Sequence, residues 1–488
     1  MEAAEALLDV STLESGASAI DLVQGLVEKS LVRRFSERRF NLLDTIKAYA
    51  SERLETDPQY GGPIAARSAE ARHYRFFANL DEQRATAERG AEIDNLVVAC
   101  RRAARDDDPQ SAVAALAHAW EVLVRMGPYR EAFELAETVR LVRRLNEAQR
   151  AIADWVGGMA LSFLGRGDEA KTRFERGLAA SRSAGARATE SLLARGLAEQ
   201  LAIEGRIEEA LARASEALTI AQELDDRSLQ CNALNRVGAV LRRAGRLAAA
   251  KESYAMALQL AREMGDQRMQ GVLLGNLGIV HQDLGDLDQA RGLYEQSLLI
   301  ALQLGDRQGE SAERGNLADV NLEQGAIEEA HTQYEAAMAI GRFLGLARTE
   351  YACRHGLGNV FSAKGDHGAA REQYRQAAEL ARETGDRRVE GRMLSKLGLA
   401  LTRTGANTEA QERFARAEAL LSTVSDPMSL VELYCRWAEA ALVTGNTAMV
   451  AELVGRAEEA ALAVASPRPD PLEAMLRNAR ALLSTGRK

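Results

Sequence analysis

Residues 275–306 read GNLGIVHQDLGDLDQARGLYEQSLLIALQLGD and contain the pattern on which most of the chain is built. The stretch predicts two amphipathic helices joined at Leu284-Gly285-Asp286. The turn glycine recurs every forty residues, at Gly165, Gly205, Gly245, Gly285, Gly325, Gly365, Gly405 and Gly445. A period of this length predicts an array of stacked helical hairpins.

Other positions keep the same register. Five residues after each turn glycine comes Ala170, Ala210, Ala250, Ala290, Ala330, Ala370, Ala410 or Val450, and four residues further comes Phe174, Tyr254, Tyr294, Tyr334, Tyr374 or Phe414. Ala214 and Val454 replace the ring in two units. We interpret Gly278 and Ala290 as small residues that let the two helices cross closely, with the ring filling the groove beside them. Gly265-Asp266, Gly305-Asp306 and Gly385-Asp386 predict a left-handed glycine followed by an aspartate helix cap.

This register resembles the tetratricopeptide repeat in its forty-residue form, because Asn276-Leu277-Gly278, Asn316-Leu317-Ala318, the alanine and the ring match that family's pattern. The resemblance implies an all-α fold, a right-handed superhelical solenoid over residues 113–465 with about eight to nine units. A degenerate unit is expected around Gly127, since Ala132 again follows by five. Residues 466–488 are expected to form a capping helix and tail.

The first sixty residues do not follow the forty-residue pattern. Ile20–Lys29 predicts a helix, Leu31–Phe35 and Arg38–Leu42 predict a hairpin, and Asp44–Leu54 predicts another helix, which is the order of a winged helix. LVEKSLVRRF and RFNLLDTIKAYASERL, with Arg72-His73-Tyr74 and Glu92–Leu96 beyond them, resemble bacterial signal-transduction regulatory ATPases. The resemblance implies a partial winged-helix segment at 1–60, a helical connecting segment at 61–112, and a sensor role for the repeats.

The nucleotide-binding part of such regulators is not found in this sequence. The chain has no GxxxxGK[ST] motif, and Leu43 occupies the position where some relatives place a histidine against bound ADP. We therefore interpret the chain as the C-terminal part of such a regulator, or as a product without the motor domain. It is expected to need no cofactor and neither to bind nor to hydrolyse ATP.

Composition excludes several other classes. A net charge of −9 argues against a general nucleic-acid binder. Arg33, Arg34, Arg38 and Arg39 are either DNA-phosphate contacts of a wing or an exposed hairpin. The absence of a long apolar run and the acidic start MEAAEALLDV predict a cytoplasmic protein without a membrane span.

No catalytic or metal motif stands out. Cys100, Cys231, Cys353 and Cys435 show no paired spacing and are interpreted as buried small apolar residues. The GxGxxA match at Gly165–Ala170 follows a predicted helix and not a strand, so it belongs to the repeat register. The histidines lack metal-ligand spacing, and the sequence predicts a protein that is not an enzyme.

The resemblance also implies that the first helix of each pair lines a binding groove. The implied groove residues are Asn232, Asn235, Arg236, Arg242, Arg243, Asn276, Gln282, Asp283, Asn316, Asp319, Glu323, His355, Asn359, Arg392, Lys396 and Arg403. Asn276 and Asn316 either hold two points of an extended ligand or brace neighbouring helices. Two functions fit: a scaffold that captures a peptide or protein partner, and the sensor arm of a regulatory ATPase that responds to a partner or small effector. A transcriptional regulator that contacts DNA through the winged helix is the alternative.

Overall fold

The computed structural model describes residues 19–29, 32–34, 40–42, 52, 56, 62–80, 91–423, 427–462 and 470–485. Its elements are almost all helices. In chain order they are α1 (Ala19–Glu28), β1 (Val32–Arg34), β2 (Phe40–Leu42), α2 (Gly62–Ala78), α3 (Ile93–Arg105), α4 (Pro109–Met126), α5 (Tyr129–Arg140), α6 (Glu147–Phe163), α7 (Gly167–Ser183), α8 (Arg187–Ile203), α9 (Ile207–Glu223), α10 (Arg227–Arg243), α11 (Leu247–Met264), α12 (Gln267–Asp283), α13 (Leu287–Leu304), α14 (Arg307–Glu323), α15 (Ile327–Leu344), α16 (Ala347–Ala363), α17 (His367–Glu383), α18 (Arg387–Arg403), α19 (Asn407–Thr423), α20 (Pro427–Val443), α21 (Thr447–Leu462) and α22 (Asp470–Thr485).

The chain divides into two compact units. The first comprises Met1–Leu123 with Glu131–Val156, and the second comprises Val124–Arg130 with Gly157–Lys488. The domain boundaries expected from the sequence, at residues 60, 112 and 465, stay a prediction.

The first unit contains α1 and an antiparallel hairpin in which Val32 pairs with Leu42 and Arg34 pairs with Phe40. The helix and the hairpin predicted for this segment are therefore present. Apart from Glu52, the helix predicted over Asp44–Leu54 lies outside the described residues, as do Arg38 and Arg39. The winged-helix assignment thus stays a prediction.

The second unit contains a solenoid of packed helix pairs, from α8–α9 through α20–α21, which confirms the predicted tetratricopeptide-like fold. All eight turn glycines have φ between 73° and 83°, a left-handed conformation that a Cβ atom disfavours. The aspartate caps are confirmed as well. Asp266 accepts a hydrogen bond from the backbone amide of Met269 at 2.9 Å, Asp306 from Gly309 at 2.9 Å, and Asp386 from Val389 at 3.1 Å.

The small residue of the first helix makes room for the ring of the second. A Cβ atom added to Gly278 would lie 2.5 Å from Cε1 of Tyr294. The equivalent distance is 2.4 Å from Gly358 to Tyr374 and 2.8 Å from Gly398 to Phe414. The nearest side chain to Gly278 is therefore the ring, and not Ala290 as we interpreted from the sequence. Ala290 is itself fully buried.

Replacing Gly278 by alanine should consequently destabilise the repeat. The ring of Tyr294 is fully buried and has no free space to move into, so we expect a cost of about 1 to 3 kcal/mol. Gly292 on α13 is the matched control, because a Cβ atom there meets nothing within 4 Å. Gly292→Ala should be neutral or stabilise by about 0.5 to 1 kcal/mol. Urea unfolding followed by circular dichroism measures both variants, and equal midpoints would contradict this role for Gly278.

All four cysteines are free. Cys100, Cys231 and Cys353 are buried and Cys435 is partly buried, and burial raises the pKa of Cys231 and Cys435 to about 11. Thiols of this kind are unreactive. The three fully buried cysteines match the predicted role as small apolar residues.

No helix among the described ranges combines the length and the apolar character needed to cross a membrane.

Candidate functional site

The first helices of neighbouring pairs are joined by bonds between polar side chains, and we name these bonds the polar ladder. The bonds join Ser162 to Gln200 at 2.7 Å, Arg195 to Asn232 at 3.4 Å, Glu199 to Arg236 at 2.8 Å, Asn235 to Asn276 at 2.7 Å, Arg242 to Asp283 at 3.1 Å, Gln282 to Glu323 at 2.6 Å, Asn359 to Lys396 at 2.8 Å, Arg392 to Glu432 at 3.8 Å, and Arg403 to Glu439. Many predicted groove residues thus also bond to the next repeat.

One cluster of the ladder gathers three predicted residues. The Asn359 carboxamide oxygen accepts hydrogen bonds from Lys396 at 2.8 Å and from the Tyr374 hydroxyl at 2.9 Å, and its nitrogen lies 3.3 Å from His355 Nε2. Burial, with the nearby charges of Arg436 and Arg392, lowers the pKa of Lys396 to about 7. Burial also lowers the pKa of His355 well below its ordinary value. These groups are held firmly and favour the neutral state.

The ladder is interrupted between α14 and α16. Within these two fully described helices, no side chain of α14 bonds to a side chain of α16. A cavity of about 450 Å³ opens at this level, lined by α12, α13, α14 and α16 with Tyr334 from α15. Asn276, Asn316 and Asp319 are the predicted groove residues that line it. Cavities of roughly 300 to 1,000 Å³ are typical of ligand sites.

Missing side chains create this space. Gly275 on α12 and Gly315 on α14 both line the cavity, and a Cβ atom on Gly315 would meet nothing within 4 Å. The equivalent residues of the other repeats, at intervals of forty, are Trp155, Arg195, Asn235, His355, Ser395 and Cys435. Gly315 therefore leaves open space at a position that carries a side chain in other repeats, whereas the space beside Gly275 is occupied by the Glu313 carboxyl group.

The cavity also contains a buried acid. Glu313 is 6% exposed, accepts a hydrogen bond from Asn316 at 3.1 Å, and forms no ion pair with any described arginine or lysine. Burial raises the pKa of this carboxyl to about 7, although hydrogen bonds from Asn316 and Ser297 partly offset the effect and Asp306 adds to it. A Cβ atom on Gly275 would lie 2.1 Å from Glu313 Oε1, so the glycine makes room for the carboxyl group.

Other charged groups of the cavity are already satisfied in part. Arg268 lies 3.2 Å from the Asp306 carboxylate. Asp319 accepts a hydrogen bond from the Tyr334 hydroxyl. Arg348 lies close enough to Glu199, four repeats away in the sequence, for its charge to lower the pKa of that carboxyl. The charge of one cavity residue thus reaches a repeat that does not line the cavity.

Asn276, Asn316 and Asp319, which the sequence predicts as groove residues, all line the cavity, whereas Glu313, Arg268, Asp306 and Arg348 were not among the predicted residues. A signal for Glu313 was present. The equivalent residues of the other repeats are Ala153, Leu193, Ala233, Leu273, Cys353, Met393 and Leu433, and each is at most 3% exposed. Glutamate in a register of buried apolar residues marks an exceptional position.

The remaining groove residues lie apart from this cavity. Arg243 is exposed and forms no ion pair with a described residue. His355, Asn359 and Lys396 lie on the next two first helices, α16 and α18. Among the residues that the structure describes, no group of histidine, cysteine, aspartate or glutamate side chains could hold a metal ion.

Comparison with known proteins agrees with the fold. The family model of the tetratricopeptide repeat matches residues 189–263, 270–342 and 349–423, which cover α8 through α19. These residues therefore form tetratricopeptide repeats, and the cavity lies within them. No curated protein sequence matches the chain significantly.

Two solved structures are similar in fold. A Rap protein complexed with Competence and Sporulation Factor has a TM-score of 0.55 at 12% identity, with 73% of this chain and 99% of that chain covered. A signal transduction ATPase with numerous domains and a tetratricopeptide repeat sensor, from Pyrococcus horikoshii, has a TM-score of 0.51 at 13% identity. That match covers 86% of this chain and 61% of the ATPase. At these identities the similarity shows the fold alone.

Proposed function

We propose that the repeat array is a non-enzymatic sensor scaffold that captures an extended peptide or protein segment in the cavity between α12, α14 and α16. The observation that carries the proposal is the interruption of the polar ladder at this level. At other levels polar side chains of neighbouring first helices bond to each other, whereas here amide and carboxyl groups face an open space. An extended segment exposes backbone donors and acceptors that such groups bind.

Asn276 and Asn316 form different hydrogen bonds, so we assign them different roles, one in bracing a neighbouring helix and one in binding the ligand. Asn276 donates to Asn235 at 2.7 Å, so it braces the neighbouring helix even though it lines the cavity. Asn316 donates to Glu313 within its own helix and has no bond to a neighbouring repeat within the described residues. Asn316 is therefore the better candidate for direct ligand binding.

The cavity is placed where a ligand can influence distant repeats. Arg348 lines it and acts electrostatically on Glu199, and elsewhere in this unit a Cβ atom on Gly165 would lie 2.6 Å from Cγ2 of Thr384. Contacts between repeats so far apart in sequence depend on how each intervening pair is stacked. A bound segment that alters the stacking around α14 would therefore be detected across the array, which suits the sensor arm of a regulatory ATPase.

The two fold relatives support this proposal by analogy. One is complexed with a regulatory factor, and the other carries a repeat sensor on a signal-transduction ATPase. We carry over from them the idea that an array of this kind binds an effector and reports it to an attached or separate regulator.

Selection of random linear peptides on the full chain tests the proposal, with Gly315→Leu as the negative variant. Leucine at 315 fills the open space with a side chain that favours helix, so the fold should be kept and the cavity lost. We expect peptides to be enriched on the natural chain and lost on Gly315→Leu. Failure to enrich any peptide, or equal enrichment on both proteins, would contradict the proposal.

A further inference from the structure

The most unusual feature of the cavity is an acid without a counter-charge. Two arginines and three carboxyl groups line the space, and Arg268 is committed to Asp306. Arg348 acts on Glu199, and Asp319 accepts from Tyr334. Glu313 accepts a hydrogen bond from the neutral Asn316 amide and forms no ion pair with a described lysine or arginine. A buried carboxylate without a cation is unfavourable, so it is seldom retained for packing alone.

The forty-residue register strengthens this point. All seven equivalent positions hold a buried apolar or cysteine side chain, which shows that the fold itself has no need of an acid there. Gly275 is a second departure in the same place, because its missing side chain leaves the space that Glu313 Oε1 occupies. The acid and the glycine thus form a matched pair on neighbouring first helices.

We propose that the cavity receives a cationic group of the bound segment, the ammonium of a lysine or the guanidinium of an arginine, as the counter-charge of Glu313. The inference rests on the proposed function and names the chemistry of its ligand. Asp319 supplies a second carboxyl group, and Asn316 lies between the two acids on α14. The volume of about 450 Å³ accommodates a long side chain together with adjacent backbone. An acidic side chain would meet carboxyl groups here and is disfavoured.

Proton balance gives this site a characteristic pH dependence. Glu313 is largely neutral below pH 7 in the free protein, and a cation favours its ionised form. The groups that face it from the surrounding elements are Arg268, Asp306, Asp319, Arg348 and the hydroxyls of Ser297 and Tyr334. Binding should therefore strengthen as pH rises through about 7, and it should release a proton when measured below that pH.

Two peptide libraries distinguish this inference from the proposed function. Both are displayed between constant segments, so that neither has a free amino terminus, and one of them lacks lysine and arginine. We expect the complete library to be enriched with a basic residue at a fixed position, and the library without basic residues to be enriched poorly. Equal enrichment of the two libraries would overturn the inference and leave the proposed function intact. Enrichment of neither would overturn both.

Two variants of the full chain then test whether the cationic group of the peptide binds at Glu313. Glu313→Gln removes the charge, and Gly275→Ala displaces the carboxyl group by placing a Cβ atom 2.1 Å from Oε1. A selected basic peptide should lose about tenfold or more in affinity with either variant, as expected for loss of a charge-assisted contact. Gly292→Ala is the control and should bind normally. Unchanged affinity of Glu313→Gln, in a variant that still unfolds cooperatively, would overturn the inference.

Discussion

Replacing Tyr294 by alanine should destabilise the array by about 3 to 5 kcal/mol, the range measured for truncating large buried rings. The ring is fully buried and lies against Gly278, and its hydroxyl donates to Gln282 at 2.8 Å. The truncation leaves a cavity that helices fixed by two neighbouring pairs cannot fill by collapsing. Circular dichroism during urea unfolding measures the effect.

Two control variants separate the contributions of the ring and the hydroxyl. Tyr294→Phe keeps the ring and removes one hydrogen bond, which typically costs about 0.5 to 1.5 kcal/mol. Gln296→Ala lies on the exposed side of the same helix and should change the stability by less than about 0.5 kcal/mol. If Tyr294→Ala unfolded at the same urea concentration as Gln296→Ala, the ring would not be a central packing element.

The second large effect concerns pH. The pKa of Glu313 is about 7 in the folded protein, whereas the ordinary pKa of a glutamate is 4.5. This difference in pKa corresponds to about 3 kcal/mol in the free energy of unfolding. Because the folded state holds this proton more tightly, the stability contributed by Glu313 is fully present below about pH 4.5. It is lost as pH rises through about 7. Glu313→Gln keeps the shape of the protonated acid and does not titrate.

The difference between the two proteins isolates this one group, since all other titrations are shared. We expect equal stability near pH 4.5, and a Glu313→Gln variant more stable by about 3 kcal/mol at pH 8.5. Urea unfolding at both pH values makes the comparison. A constant difference across this range would show that Glu313 is not buried as an acid.

Much of the fold could be predicted because each repeat contains the same local sequence signals. Glycine at a left-handed turn, an aspartate that caps the following helix, and a ring at a fixed distance all depend on neighbours in sequence. Because these signals recur every forty residues, a pattern that is weak in one repeat becomes clear over the whole array. The partner of Gly278 was misjudged, because the choice between Ala290 and Tyr294 depends on how far a ring reaches across two helices.

The site was harder to predict for a physical reason. Its residues come from α12, α14 and α16, and the sequence alone shows the polar face of each helix without its bonds to the next. Residues such as Gln282 and Arg242 were expected to face a ligand, but they bond to Glu323 and Asp283 of the neighbouring repeat. Position 313 was detectable only as an exception to the register of the other repeats.

Site-specific photocrosslinking tests the central claim most directly, that a peptide binds in the cavity between α12, α14 and α16. A benzophenone amino acid is placed at Ala312, an exposed residue that lines the cavity, or at Gly292 on α13, where a side chain meets open space. The probe is a peptide selected on the natural chain. We predict crosslinking at position 312 and not at position 292, with competition by the unlabelled peptide. Crosslinking at 292 alone, or equally at both positions, would contradict the account.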